Sequence, residues 1–133
     1  MTEIAAPGIG ISRLGQVQVR THDMERAAAF YQNVLGLKLL FKAPPGLAFF
    51  DCGGVRLMLD KPEDPQFDHP SSILYFFVED IQKSFAELRE KKVIVVGEPH
   101  MIARLADREV WLAHFRDSED NMHALMSEVP VGR

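Results

Sequence analysis

One cysteine, Cys52, stands in 133 residues. A lone thiol cannot close a disulfide within the chain, so no cystine framework staples the fold, and the pattern suits a reducing compartment. No apolar run approaches the roughly 20 residues that a membrane-spanning helix needs. Met1–Gly10 carries Glu3, Pro7 and two glycines, without the basic, long-apolar pattern of a secretion signal. No membrane role is expected, and the cytoplasm is the expected compartment. Positive charge is also scarce: 15 Lys and Arg face 19 Asp and Glu, a formal net charge of -4, and no basic stripe gathers them. That balance argues against nucleic acid as a partner. Familiar motifs are missing too. Gly8–Ile9–Gly10 completes no dinucleotide fingerprint, Asp117–Asp120 is too short for a calcium loop, and Cys52 has no activating neighbour.

What the chain does contain is one unit written twice. Val17–Gln18–Val19–Arg20, followed by Asp23–Met24, returns as Leu74–Tyr75–Phe76–Phe77, followed by Asp80–Ile81. Each copy reads as a strand, a helix capped by Asp, and three further strands. Two such units suggest a shared core with any site in the groove between them. The expected fold is α+β, two βαβββ modules forming a cupped, mostly antiparallel mixed sheet with helices on the outer face. A single domain over 1–133 is expected, with module one at about 14–60, a linker at 61–71, and module two at about 72–128.

Leu14–Arg20 alternates, with Val17 and Val19 on one face and Gln16, Gln18 and Arg20 on the other. Met24, Ala27, Ala28, Tyr31, Val34 and Leu35 follow helical spacing from the Asp23 cap to Gly36. Leu37–Ala43, Leu47–Cys52 and Val55–Asp60 read as strands, and Lys61–Ser71 as a polar linker. Ile73–Val78 begins the second unit, and Asp80 caps a helix through about Lys91. Strands near Glu98–Leu105, Val110–Arg116 and Asn121–Ser127 complete it. A hairpin turning at Ala106–Asp107–Arg108 pairs His100 with His114, Ile102 with Leu112, and Arg104 with Val110. Met101, Ala103, Leu105, Trp111, Ala113 and Phe115 then share the opposite, apolar face.

The stretch Asp23–Met24–Glu25–Arg26–Ala27–Ala28–Ala29–Phe30–Tyr31–Gln32–Asn33–Val34–Leu35–Gly36–Leu37, with Gly53–Gly54–Val55–Arg56–Leu57–Met58–Leu59 and Phe115–Arg116–Asp117–Ser118–Glu119–Asp120–Asn121, resembles the vicinal oxygen chelate superfamily. That superfamily includes glyoxalase I, bleomycin and fosfomycin resistance proteins, and extradiol dioxygenases. The Asp117–Asn121 turn is similar to the family's Asp-Pro-Asp-Gly-Asn, with Ser118 and Asp120 departing from it. The resemblance implies a homodimer and a small-molecule cup. It also implies metal ligands at Gln16, Met58, Ile73 and Ala124, where relatives carry His or Gln, Glu, His and Glu. Only Gln16 is a plausible ligand, since thioethers suit these ions poorly and Ile and Ala offer no lone pair. No metal and no cofactor are therefore expected.

Strand alternation lines the expected cup with Gln16, Gln18, Arg20, Arg56, Met58, Tyr75, Phe77 and Arg104 as ligand-binding residues, and His100 and His114 as catalytic candidates. Arginines holding an anion, beside aromatic contact area, suit a small anionic organic molecule with a flat or apolar part. The His114 position resembles that of a substrate-contacting tyrosine in fosfomycin-resistance relatives. Plain structural roles compete: Arg20 and Arg56 as solvated edge residues, Tyr75 and Phe77 as filler or dimer surface, His123 as a core histidine. Trp111, Phe49 and Phe50 are further candidates for dimer surface. The functional expectation is a metal-independent binding protein. The alternative is a lyase, isomerase or transferase using His114 as acid or base, or a rebuilt metal site at Gln16, His100 and His114.

Overall fold

Two aspartates start the two helices. Asp23 and Asp80 each sit in extended conformation and accept a hydrogen bond from the backbone amide three residues on, Arg26 N and Lys83 N, both at 3.1 Å. The computed structural model describes residues 8–131, so most of the leader, residues 1–7, lies outside them, as do residues 132–133. Strand β1 (Gln16–Arg20) leads into α1 (Met24–Ala29), and β2 (Lys38–Ala43), β3 (Leu47–Cys52) and β4 (Val55–Asp60) follow. The second unit is β5 (Leu74–Phe77), α2 (Ile81–Glu90), β6 (Val95–Arg104), β7 (Arg108–Arg116) and β8 (Met122–Pro130). Each unit forms a four-stranded mixed sheet, ordered β1-β4-β3-β2 and β5-β8-β7-β6, with the first and last strands parallel and the rest antiparallel. No helix among the described residues is long and apolar enough to cross a membrane.

The first helix is less regular than its spacing predicts. After Ala29 the chain makes a π turn, Phe30–Val34, closed by Leu35 N to Phe30 O at 3.0 Å. One inserted residue advances the helical face by about 100°. Tyr31 stays in the first core with Val19, Phe50, Leu57 and Leu59, while Val34 reaches the second, built on Phe85, Phe115 and Leu125. Phe30, Leu35 and Phe76 pack against both clusters. Gly36 then reverses the chain at φ +76, a conformation that disfavours any side chain. Phe50, offered above as dimer surface, is fully buried here.

The units are tied by the turn between β7 and β8. Glu119 is 2% exposed and accepts from His22 N at 2.8 Å, Asp23 N at 2.9 Å and the Arg26 guanidinium at 2.8 and 3.0 Å. Asp117 accepts from Glu119 N and Asn121 N through one oxygen, and from Tyr31 OH and Asn121 Nδ2 through the other. Asn121 also donates to Arg20 O at 2.9 Å. Because the Tyr31 hydroxyl donates to Asp117, its oxygen is left to accept from His123 Nε2 at 2.8 Å. His123 therefore carries a proton on Nε2, and its buried Nδ1 has no hydrogen-bond partner among the described residues. His123 is the core histidine that its helix-facing position implies.

Burial alone would raise both carboxyl pKa values. For Asp117, the bonds from His123, Tyr31 and Asn121 outweigh burial and hold the group below its ordinary value. For Glu119, the Arg26 contact and the two backbone amides outweigh it more strongly, taking the pKa from 4.5 to about 2. A depressed carboxylate stabilises the fold above its unfolded pKa, and that contribution disappears as pH falls through the folded value. Glu119→Gln should lower stability at neutral pH by about 2–4 kcal/mol, because buried donors lose a charged acceptor. It should also remove the part of the acid dependence lying between pH 4.5 and about 2. Urea denaturation across that range is the check, and a variant with wild-type stability and slope would dismiss the tie.

Candidate functional site

Each sheet has one face covered by helix and one face that is not, and the polar residues gather on the second. In the first sheet Gln16 lies beside Arg56, Gln18 beside Met58, and Arg20 beside Asp60. Continuing across the sheet, Phe49 lies beside Met58 and Phe41 beside Phe49. The Phe41 and Phe49 rings stack with centroids 4.5 Å apart, and the Arg56 guanidinium lies 5.4 Å from the Phe49 centroid. The result is an aromatic platform with a cation on it. Neither Phe41 nor Phe49 was among the expected ligand-binding residues. The doublet Phe49–Phe50 hides which ring faces outward, and only the pairing of Phe49 with Met58 tells.

The two arginines mark opposite ends of this face. Arg56 stands beside Gln16, four residues from Arg20 along a parallel pair, a separation of about 13 Å at ordinary strand rise. Arg20 is only partly exposed, and its Nε is buried without a hydrogen-bond partner. Its Nη1 reaches Asp68 Oδ1 at 3.5 Å, long for a charge-assisted contact. Asp60, its strand neighbour, forms no ion pair with it among the described residues. Burial, and then the nearby Glu63, raise the Asp60 pKa. Gln18 Nε2 donates to Phe67 O at 3.3 Å. A cavity of about 500 Å³ adjoins this end, walled by Pro45, Leu47, Asp60, Glu63, Asp64 and Phe67 among others.

The second sheet carries the other half. Tyr75 lies beside Ala124, and Ala124 beside His114. The Tyr75 and His114 rings meet edge to face at 6.3 Å, and His100 stacks on His114 at 6.4 Å. His100 Nδ1 is 3.1 Å from Glu98 O, so it carries the proton and leaves Nε2 as the free acceptor. Phe77 extends the same face, and Tyr75 and Phe77 are 50% and 57% exposed. Among the described residues no side-chain hydrogen bond joins the uncovered face of one sheet to that of the other, and β1 and β5 each end their sheet.

The hairpin register differs from the symmetric one expected. His100 lies opposite Leu112, two residues from the expected partner, and His114 opposite Val96, four residues from it, and even displacements preserve the face. The irregularity between Val96 and His100 contains Gly97 at φ +89, which accommodates the extra backbone. A second irregularity, between Met101 and Ala103, moves the register by one and reverses every later side chain. Arg104 therefore pairs with Glu109 instead of Val110. It lies on the Trp111 side of the hairpin, with Nη1 at 3.0 Å from a Glu109 carboxylate that also accepts from Trp111 Nε1. The structure thus separates Arg104 from His100 and His114.

The positions that relatives use for metal do not fit one here. Gln16 Nε2 points at Met58 Sδ, 3.6 Å away, Ala124 lies beside Tyr75, and Ile73 is half exposed. Among the described residues no three His, Cys, Asp or Glu side chains converge as a metal site. A hard or borderline divalent ion finds one weak amide ligand in this set.

Comparison with known proteins bears on the family and the fold. The family model for the glyoxalase/bleomycin resistance protein/dioxygenase superfamily matches residues 13–125. The uncharacterized protein YraH of Bacillus subtilis (strain 168) is 28% identical over 126 residues, covering 83% of this chain and 94% of that protein. Metallothiol transferase FosB of Lysinibacillus sphaericus (strain C3-41) is 37% identical over 79 residues, 56% of this chain and 55% of that one. The chain thus matches about half the length of that transferase. The crystal structure of lactoylglutathione lyase from Agrobacterium tumefaciens superposes with a TM-score of 0.66 at 22% identity, covering 88% of this chain and 94% of the lyase. Likeness at that identity concerns the fold alone. With the family model spanning nearly all of both βαβββ units, this chain belongs to the glyoxalase/bleomycin resistance protein/dioxygenase superfamily.

Proposed function

We propose that the chain binds a small anionic organic molecule, with a flat or apolar part, on the concave faces of its two units, without the inherited metal site. The observation that carries this reading is Arg20, a cation with a buried, unpartnered Nε and one long contact to a displaceable carboxylate. A buried donor without an acceptor is costly, and an entering carboxylate relieves that cost bidentately. The Phe41–Phe49 stack supplies a surface for the flat part of the ligand, and Arg56 supplies a second cation at its edge. Gln16, Gln18 and Met58 line the space between. Arg104, already paired with Glu109, drops out of the binding set.

An enzymatic version of the same site has its own support. His100 and His114 stack on one face beside Tyr75, and His100 presents a free Nε2. An imidazole near neutrality can exchange protons with a bound anion, with His114 as acid or base and His100 assisting. For the rebuilt metal alternative, no carboxylate among the described residues joins the histidines in a group of three metal-ligating side chains. The proposed compartment is the cytoplasm, in keeping with the single thiol.

The two halves also favour a homodimer. Ile73, Tyr75 and Phe77 expose large apolar surface on the edge strand β5 and the residue before it. Open edges with apolar faces need cover, and a second copy can bring a first-sheet face against a second-sheet face. Sedimentation at micromolar concentration should show a species of about twice the 15.0 kDa chain mass. A species of single-chain mass alone would count against the dimer.

Elemental analysis of protein purified without chelator should find far less than one zinc, nickel, manganese or iron per chain. Near-stoichiometric metal surviving dialysis would promote the rebuilt site. A thermal-shift screen of carboxylates, phosphates, thiol conjugates and aromatic antibiotics should supply a ligand, since specific binding raises the melting temperature. Arg20→Ala should then weaken binding by about 1.5–3 kcal/mol, the range for hydrogen bonds to charged groups. Arg104→Ala should leave binding unchanged. In a pure binder His114→Ala costs affinity only, whereas in an acid–base enzyme it lowers turnover about 10²–10⁴-fold. Hits that survive loss of Arg20 and His114 together would place the site elsewhere.

A further inference from the structure

We infer that the linker segment 64–68 is a built-in competitor for the anion site, holding Arg20 and Gln18 until a monoanionic ligand displaces it. The inference rests on the reading of Arg20 as the anion anchor and adds how that anchor is controlled and what charge it selects. The linker is held locally for most of its length. Asp64 caps a 3₁₀ turn, Pro65–Phe67, through Gln66, and Phe67 N and Asp68 N bond to Asp64 O and Pro65 O. Lys61 N to Gly46 O fastens its start. Its long-range side-chain hydrogen bonds among the described residues are two, and both go to the uncovered face of the first sheet: Gln18 to Phe67 O and Arg20 to Asp68.

This arrangement imitates an occupant. A carbonyl takes the Gln18 amide, and a carboxylate takes the Arg20 guanidinium. Both contacts are long, at 3.3 and 3.5 Å, and Asp68 remains half exposed, so the segment is weakly held. A cavity of about 500 Å³ lined by Asp64 and Phe67 together with Leu47 and Asp60 leaves open space beside the segment. Charge then sets selectivity. A monoanion replacing Asp68 leaves the charge on Arg20 unchanged, whereas a dianion adds negative charge near Asp60, Glu63 and Asp64.

Limited proteolysis tests the competitor without any ligand, because chymotrypsin cleaves after Phe67. Asp68→Asn should speed cleavage at that bond, read by mass spectrometry. Benzoate, the carboxylate probe, should speed the same cleavage in the wild type. By calorimetry it should bind Asp68→Asn about two- to fivefold more tightly, matching loss of an exposed ion pair. Phenyl phosphate should bind more weakly than benzoate above its second pKa. Unchanged cleavage in ligand-free Asp68→Asn overturns the competitor role, whatever the concave face binds. Benzoate binding that Arg20→Ala abolishes but Asp68→Asn does not tighten also overturns it, and leaves the anion site standing. Faster cleavage in Asp68→Asn with no benzoate bound by either protein overturns the anion site itself. Phenyl phosphate binding as tightly as benzoate overturns the charge selectivity.

Discussion

The structure depends on a buried carboxylate turn. Asp117 and Glu119 lie almost a hundred residues from the helix start that they hold, yet they accept its free amides, its arginine and its tyrosine. The second unit supplies both carboxylates, and the first supplies the His22, Asp23, Arg26 and Tyr31 donors that they accept from. The turn satisfies the amides of His22 and Asp23 beside the Asp23 cap, and Asn121 reaches back to Arg20 O. The end of β1, and with it the position of Arg20, is set by contacts from the other unit.

That dependence links stability to the site. Tyr31 bridges Asp117 and His123 from within the π turn, and the same turn sends Val34 into the second core. A shift of the turn would therefore disturb both cores and the backbone that presents Arg20. The uncovered sheet faces carry little of this burden. Tyr75 and Phe77 are about half exposed and the Gln16 and Gln18 side chains make only long contacts, although Phe49, beneath Phe41 and Arg56, is 9% exposed. Superfamily membership accounts for the frame, while the chain's own residues carry the proposed departure from it. Met58, Ile73 and Ala124 stand where the resemblance implies stronger ligands, and Arg20, Arg56, Phe41 and Phe49 share the uncovered face of the first sheet.

Much of this was legible in the amino-acid order, because the signals concerned are local. Alternation placed Val17 and Val19 inward and Gln16, Gln18 and Arg20 outward. Asp23 and Asp80 marked the helix starts, and Gly36 the end of the first. The internal repeat pointed to two βαβββ units, and the resemblance to the vicinal oxygen chelate superfamily implied ligand positions that fall on Gln16, Met58, Ile73 and Ala124. His100 and His114 kept a common face even with the wrong register, since an even displacement does not change which side a strand residue occupies.

Tertiary structure decided the rest, wherever a single residue of slip reverses the outcome. The irregularity between Met101 and Ala103 carried Arg104 away from the histidines and into a pair with Glu109. Within Phe49–Phe50, adjacent identical rings gave alternation no purchase, and the pairing of β3 with β4 put Phe49 on the Met58 side, beneath Phe41, and Phe50 in the first core. The π turn was invisible because a helical apolar pattern tolerates one inserted residue near its end. The linker read only as polar and proline-rich, yet folding lays Asp68 against Arg20, 48 residues away in sequence. Local chemistry specifies which elements form, whereas the contacts between distant strands determine which side chains meet.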